Sequence, residues 1–544
     1  MVWVRRVRTG SGATAVQIAE YVDGRRRIVR HIGSAHDEAS LALLVKEANG
    51  LLTDDQQGEL DLGLQALDRK ALLLAKPLSE PVLFHLEDEP KPRVLVRQPV
   101  VRKTYSRLLF DVIASVYDDL GFAAAVGNDH FRDLVVARIV EPTSILDMDR
   151  VLGEVGQVAA SRSTWRRTLK RCQDGSYRSK LAAASFERAA SHGDVSLCLY
   201  DVTTLYFEAE KEDDLRKVGY SKERRIDPQI VVGLLVDRQG FPLEIACFEG
   251  NKAETLTILP MIRDFQACHN IEGLIVVADA GMLSATNLAA LDKEGLGFIV
   301  GSRQTSAPLD LSMHYRWNGD AYADGQIIDT ITPKHRRTKG LNDPMRRDEP
   351  VWDPVEHTAA WRAIWAYSRK RFVRDNKNLN HQENRARAVI AGEKTSRTPR
   401  FVKTSGSKRV LDNKALNRAR SVAGLKGYVT NIPVTQMPAV EVIASYHDLW
   451  QVEQSFRMSK TDLRARPMFA RTKDSIEAHL TIVFAALAVA RTMQQRTRLT
   501  IRKILRELRP LRSASIELGG TIHEFHPEIT DAHANLLKDL GFRH

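Results

Sequence analysis

Val195-Ser-Leu-Cys-Leu-Tyr-Asp201-Val-Thr-Thr-Leu-Tyr-Phe207 decides how the rest of the chain is read. Its β-branched, aromatic and aliphatic content predicts a strand, and a single carboxylate, Asp201, sits in its middle. Two more strands follow, Ile230-Val-Val-Gly-Leu-Leu-Val236 and Phe241-Pro-Leu-Glu-Ile-Ala-Cys-Phe248, joined by Asp237-Arg-Gln-Gly240 as a hairpin turn. Asn251-x-x-Glu254 offers a capping-box-like start for a helix through about His269. Then come strand Leu274-Ile-Val-Val-Ala278, a helix from about Ser284, and strand Gly297-Phe-Ile-Val-Gly301.

The order is β-β-β-α-β-α-β. Three antiparallel strands followed by crossover helices and parallel strands is the layout of a ribonuclease H-like sheet, so the predicted class is α/β with a mixed sheet. Around this segment, 195–304, the chain divides by pattern. Residues 1–35 alternate between turn signals and predict a small β-meander; 36–100 hold short helical stretches and a Pro-punctuated linker. Residues 101–194 turn helical, with Leu108, Leu109, Val112, Ile113 and Val116 on one stripe and a second helix, Phe131 to Val140, stopping before Pro142. After Gly301 regularity fails across 305–423. It resumes over 424–495 with a short strand, one long helix from Pro438 to about Lys460, and an apolar helix from Asp474 to about Gln494. The tail, 496–544, reads as basic helix and then irregular.

The chain has 544 residues with 80 Lys and Arg against 68 Asp and Glu, a formal charge of +12. That excess is local. Residues 361–420 hold 17 Lys and Arg against four acids, a balance of +13 that leaves the other 484 residues at −1. Such a block is either a solvated face or a seat for a polyanion, and its location must decide. The 43% hydrophobic content excludes a disordered chain. The longest near-apolar run, Leu480 to Ala490, is well short of the ~18–20 residues of a membrane span. The N-terminus lacks an apolar signal core, which predicts a cytoplasmic location. Cys172, Cys198, Cys247 and Cys268 are widely spaced, against both a disulfide framework and a structural zinc site.

Asp201 lies within the first strand and Asp279 ends the fourth. In this topology those strands are neighbours, so two carboxylates that are costly to bury singly can meet. A third acid, Glu453, falls on Tyr446-His-Asp-Leu-Trp450-Gln-Val-Glu453-Gln-Ser-Phe-Arg457-Met-Ser-Lys460. Residues seven apart differ by about 20° around a helix, which places Tyr446, Glu453 and Lys460 on one face with Trp450 and Arg457 beside it. Two aromatics and two cations around one acid suit a helix facing DNA phosphates; the plain alternative is a surface stripe with a Glu453–Arg457 ion pair. Trp165-Arg166-Arg167-Thr168-Leu169-Lys170-Arg171 reads equally as a DNA-contacting helix or as an amphipathic surface helix with Trp165 and Leu169 docked inward. His447 and His479 read as surface or satisfied helix residues, and Tyr206 and Phe207 as core.

Asp201, Asp279 and Glu453, in this order and on these elements, resemble the Asp-Asp-Glu triad of bacterial insertion-sequence transposases. Tyr446-x2-Leu449-x3-Glu453-x6-Lys460 is similar to the Tyr-x2-Arg-x3-Glu-x6-Lys signature of insertion-sequence family four. Phe241-Pro-Leu, Glu249-Gly-Asn251, Asp279-x-Gly281-Met-Leu-Ser and Trp450-Gln-Val-Glu453 add to the likeness, which spans 195–304 and 424–492. One departure stands out: the signature arginine is Leu449.

The resemblance implies that Asp201, Asp279 and Glu453 are catalytic and bind two divalent ions, Mg2+ or Mn2+, oxygen ligands favouring these over zinc. It implies cleavage at transposon ends and strand transfer into target DNA, by a homodimer holding paired ends, with no membrane partner. A hairpin intermediate would give Trp450 an unpaired base to stack on. Segment 305–423 would be an insertion domain, its basic residues, Arg369, Arg371 and Arg374 among them, beside the active site. Tyr446, Trp450, Arg457, Lys460, Arg166, Arg167 and Lys170 complete the expected DNA contacts, the last three at the terminal inverted repeats. The alternatives are a metal-dependent nuclease of the same fold without strand transfer, and a non-catalytic DNA-binding descendant of a transposase.

Overall fold

The fold is described from a computed structural model of the 544-residue chain. It describes residues 2–8, 14–22, 25–35 and a few positions up to 48, then residues 99–542 apart from 194, 209–210, 221–225, 282–283, 303–310, 312–321, 336–349, 396–398, 406–407, 467 and 469. Residues 49–98, with most of the Pro-punctuated stretch, lie outside the described residues. Two compact units result, Met1–Val94 and Leu95–His544.

In the first unit, β1 (Val2–Arg8), β2 (Thr14–Val22) and β3 (Arg25–Ala35) form an antiparallel meander. The alternation of β2 puts Val16 and Ile18 on one face, buried with Val4, Ile32, Leu41, Leu44 and Val45.

The second unit begins with β4 (Val100–Tyr105) and a layer of helices that includes Arg107–Asp119, Asp129–Val140, Arg162–Asp174 and Tyr177–His192. Asn128 caps the second of these by accepting from Phe131 N, and the helix ends at Val140 because the residue before Pro142 is driven out of helical conformation. All four pack around the helix Lys473–Thr497. By length and composition that helix could cross a membrane, yet 94% of its apolar window is buried inside the fold. A helix apolar all round is one surrounded on all sides, here by protein.

The eight-stranded sheet runs in the order β10-β11-β14-β9-β8-β5-β6-β7. Its members are β5 (Leu197–Tyr206), β6 (Gln229–Val236), β7 (Pro242–Glu249), β8 (Ile275–Ala278), β9 (Gly297–Gly301), β10 (Ile327–Pro333), β11 (Ala360–Tyr367) and β14 (Leu425–Thr430). Strands β5, β6 and β7 are antiparallel; β5–β8 and β8–β9 are parallel, with helices Ile258–His269 and Ala285–Lys293 as crossovers. The mixed α/β class and the expected strand order are both present.

Beyond β9 the expectation of irregularity fails. Strands β10 and β11 extend the same sheet through β14, and a 22-residue helix, Arg369–Ile390, follows β11. A hairpin, β12 (Val402–Ser405) with β13 (Lys408–Leu411), and the helix Asn413–Ser421 pack against it. The reason for the misreading is chemical. In β11 the apolar run is interrupted by Arg362, which is 1% exposed; it pairs with Asp329 at 2.6 Å and donates to the carbonyls of Ile432 (3.1 Å) and Met437 (2.7 Å). In the long helix only Leu379, Ala386 and Val389 are buried, too few to print a stripe.

The single helix expected from Pro438 to Lys460 is two, Ala439–His447 and Trp450–Thr461. At the junction Leu449 N bonds Tyr446 O and Gln451 N bonds Asp448 O, three residues back instead of four, which tightens one turn. The tail is also regular: helix Ile501–Leu508, hairpin β15 (Ser513–Leu518) with β16 (Thr521–Phe525), and helix Asp531–Asp539. Gly519 and Gly520, both at positive φ, form the two-residue turn of that hairpin, and β15 pairs with β4.

Candidate active site

Parallel register fixes the first two acids. Tyr200 of β5 stands beside Ala278, the last residue of β8, and Asp201 and Asp279 each follow that pair by one residue. Alternation along β5 gives the two faces different roles. Tyr200 points into the core and donates to Thr257 at 2.8 Å, while Asp201, Thr203 and Leu205 lie on the opposite face. The glutamate helix, Trp450–Thr461, covers that face: Phe456, Ser459 and Lys460 line a small cavity with Thr203 and Leu205. Asp201 is half-buried, whereas Asp279 and Glu453 are exposed.

Tyr446 ties the two helical segments to the sheet. Its hydroxyl donates to Asp279 Oδ1 at 2.8 Å, and the same oxygen accepts from Ala280 N at 2.8 Å. Burial, and then the Asp279 bond, push the Tyr446 phenol well above its ordinary value, so it stays a donor. The ring packs over Gly301 of β9, where any Cβ would meet the hydroxyl at 2.5 Å.

Lys426 of β14, which the sequence reading passed over, closes the other side. Its ammonium lies 4.3 Å from the Tyr446 ring centroid and 5.5 Å from that of Tyr428. Burial, with the nearby Arg371 guanidinium, holds Lys426 below the usual lysine range, against the opposing pull of Asp279 and Glu453. His447 shares this surrounding: its Nε2 lies 3.2 Å from the Tyr428 hydroxyl, and burial, Lys426 and Arg371 press it below its ordinary value. Asp279, Glu453, Lys426, Arg371 and Tyr446 therefore occupy one electrostatic neighbourhood.

The turn between β6 and β7 holds the glutamate helix. Asp237 accepts from Gln239 N and Phe241 N, both at 2.8 Å, and Gly240 sits at φ 81°. Gly240 O accepts from Ser455 Oγ at 2.8 Å and from Arg491 Nε at 3.1 Å. Arg491 also donates to Gln239 O and to the side chains of Gln451 (2.8 Å) and Gln454 (2.7 Å), on either side of Glu453. From the same turn Arg238 reaches Ser445 Oγ at 3.3 Å and Asp448 Oδ2 at 3.4 Å.

The remaining expected contacts divide. Trp450, 53% exposed, and Arg457 face outward. Lys460 is turned inward and donates to Thr203 Oγ1, so it does not share the outward face of Trp450. Leu449 is buried in the core and places no cation at the signature arginine position. Arg371 acts on Lys426 through its charge; Arg369 packs its guanidinium 5.9 Å from the Phe372 ring, and its N–H donates to Asp324 Oδ1 at 2.7 Å; Arg374 pairs with Asp375 at 3.6 Å. On helix Arg162–Asp174, Trp165 is buried 5.6 Å from the His130 ring while Arg166, Arg167 and Lys170 are exposed. His479 is neither a surface nor a fully satisfied residue: its Nε2 is buried without a hydrogen bond, and burial drives its pKa down to about 3.

Among the described residues no three His, Cys, Asp or Glu side chains come close enough to hold a metal ion together. The donor chemistry of Asp201, Asp279 and Glu453, oxygen only, fits a hard divalent cation. The first two follow the last register pair of β5 and β8, and Glu453 acts on Lys426 together with Asp279, without the three closing a ligand group.

The family whose model matches is described as the transposase DDE domain, over residues 194–489, just over half of the chain. No curated protein matches the chain. A solved structure, the cryo-EM structure of piggyBac transposase synaptic complex with hairpin DNA, is 9% identical, with a TM-score of 0.35 over 76% of this chain and 81% of that one.

Proposed function

We propose that this chain, which belongs to the family of transposase DDE domains, cuts DNA at the ends of a mobile element and joins those ends to target DNA. The observation that carries the reading is the register of β5 and β8, whose last pair, Tyr200 and Ala278, directly precedes Asp201 and Asp279, with the Tyr446 hydroxyl bonded to Asp279 and the Glu453 helix packed on β5. The spacing of Tyr446, Glu453 and Lys460 supports the narrower assignment to insertion-sequence family four, with Leu449 as this chain's departure.

Asp201, Asp279 and Glu453 would hold Mg2+ or Mn2+, which supplies Lewis acidity toward the phosphoryl oxygens and lowers the pKa of water. The protein's own share is positioning. Tyr446 orients the Asp279 carboxylate, Arg491 and Ser455 fix the helix that carries Glu453, and Lys426 and Arg371 set a positive potential where a phosphate enters. In the joining step a 3′-hydroxyl oxygen bonds to a target phosphorus, the displaced 3′-oxygen leaves that phosphorus, and a proton passes from attacking to leaving oxygen. Trp450, exposed on the same helix, would stack on a base, and a homodimer would hold the paired ends.

Incubating the protein with target plasmid, Mg2+ and either uncut or pre-cut element ends tests the proposal. Joined products are expected. Cleavage of uncut ends without any joining would reduce the chain to a nuclease, and the absence of both reactions would refute the enzyme reading.

A further inference from the structure

The N-terminal meander has no task in the function proposed above, yet its charge is arranged by strand. Its three strands hold seven arginines, no lysine and one acid, Glu20. All the arginines are on the two outer strands, Arg5, Arg6 and Arg8 on β1 and four on β3; the central strand β2 has none. Among the described residues these strands make one ion pair, Arg27 with Glu20 at 4.0 Å, and Arg5, Arg6 and Arg30 have no carboxylate partner. Charge on an outer strand also discourages edge-to-edge pairing, but lysine is the commoner device for that. Arginine alone suits planar, bidentate recognition of phosphate and of base edges.

One face of the sheet is covered. Val4, Val16, Ile18 and Ile32 pack with Leu41, Leu44 and Val45, and a Cβ at Gly33 would meet Leu44 at 2.9 Å. Strand register assembles the opposite face. Arg5 of β1 stands beside Gln17 of β2, and Gln17 beside His31 of β3, in a row across all three strands. Along β2 the neighbours of Gln17 on this face are Ala15 and Ala19, both buried and both short, so Gln17 is the longest central side chain there. Its Oε1 is enclosed without a hydrogen bond, an acceptor that turning outward onto a donor would satisfy. His31, Arg6, Arg27 and Arg30 are exposed around it.

The dimensions select the partner. Three strands at ~4.8 Å spacing set the outer backbones about 10 Å apart. The major groove of duplex DNA is ~12 Å wide, with a phosphate backbone along each wall. We infer that the meander is a DNA-binding sheet whose Arg5–Gln17–His31 face lies along the major groove, with outer-strand arginines on the phosphates of both walls and Gln17 on base edges. A glutamine amide can pair there with adenine, accepting from one group and donating to another. DNA is the polyanion that the proposed reaction brings to this chain, so the inference rests on the transposase reading.

The test uses the full chain in EDTA, with affinity measured against salt for a fluorescent duplex copied from the DNA flanking the coding sequence and for an unrelated duplex. Arg5→Met and Arg30→Met should each lower the log-log salt slope by about 0.9, one phosphate contact apiece, while Arg5→Lys and Arg30→Lys keep it. Gln17→Ala should keep the slope and cut the preference for the flanking duplex by about tenfold. Arginines that only solvate the sheet would leave every slope unchanged. Unaltered slopes in both Met variants, with the preference of Gln17→Ala also unaltered, would overturn the DNA-binding sheet and leave the transposase reading standing. An unaltered chain that binds the flanking duplex no better than the unrelated one would overturn the transposase reading, and the role of Gln17 with it.

Discussion

Replacing Arg491 by Met should unfasten the helix that carries Glu453. Arg491 is 5% exposed, and its guanidinium makes four hydrogen bonds: to the carbonyls of Gln239 and Gly240 in the β6–β7 turn and to the side chains of Gln451 and Gln454. Bonds from a charged donor contribute ~1.5–3 kcal/mol each when one is deleted. Four cannot be summed, because removing the charge also removes the cost of burying it. What remains is the orphaning of the acceptors, of which only Gly240 O keeps a second partner, Ser455. A net loss of ~3 kcal/mol is expected, a large fraction of a typical 5–15 kcal/mol stability. Urea unfolding should show a lower midpoint with an unchanged slope. End cleavage at saturating DNA should fall with DNA affinity retained, and Arg491→Lys, with fewer donors, should recover part of the stability. A Met variant within ~0.5 kcal/mol of wild type that also cleaves at the wild-type rate would refute the clamp.

Tyr446→Phe deletes a hydrogen bond to the Asp279 carboxylate, worth ~1.5–3 kcal/mol, so end cleavage should slow at least about tenfold with DNA binding intact; a rate within about twofold would contradict the orienting role. Burial pushes the Glu244 carboxyl up to about 7. The folded chain therefore binds that proton more tightly than the unfolded chain, and stability falls as pH rises from about 4.5 through 7. Glu244→Gln should then raise the urea midpoint at pH 8 and give no advantage at pH 4.5; equal gains at both would show that Glu244 is not responsible. Neutralising Arg166, Arg167 and Lys170 should leave stability within ~0.5 kcal/mol, since all three are exposed, but lower the salt slope of end binding by about 0.9 per lost contact. An unchanged slope would leave that helix as a packing element held by Trp165.

The parts of this protein legible in its sequence are those whose chemistry is uniform along an element. Strands β6 and β8 are unbroken or nearly unbroken apolar runs and β5 is mostly apolar, so Asp201 within β5 and Asp279 just past β8 stand out against them. What escaped is where polar groups do structural work. Arg362 hides β11 because a buried guanidinium reads as a surface residue until Asp329 and two carbonyls are seen around it. Arg491 and Lys426 sit in an apolar helix and strand, and their partners lie on distant elements that no periodicity connects. A lone cation inside an otherwise apolar element was the available signal for both. Lys460 misled for the opposite reason: helix geometry gave its face, but β5 offered Thr203 as a nearer partner than solvent.

The most direct test of the account takes the element's uncut ends and Mg2+ and compares the unaltered protein with Asp201→Ala, Asp279→Ala and Glu453→Ala, measuring end binding and cleavage together. All three variants should bind the ends and none should cut them. Wild-type cleavage by any one of them would contradict the assignment of these three carboxylates to a single catalytic centre.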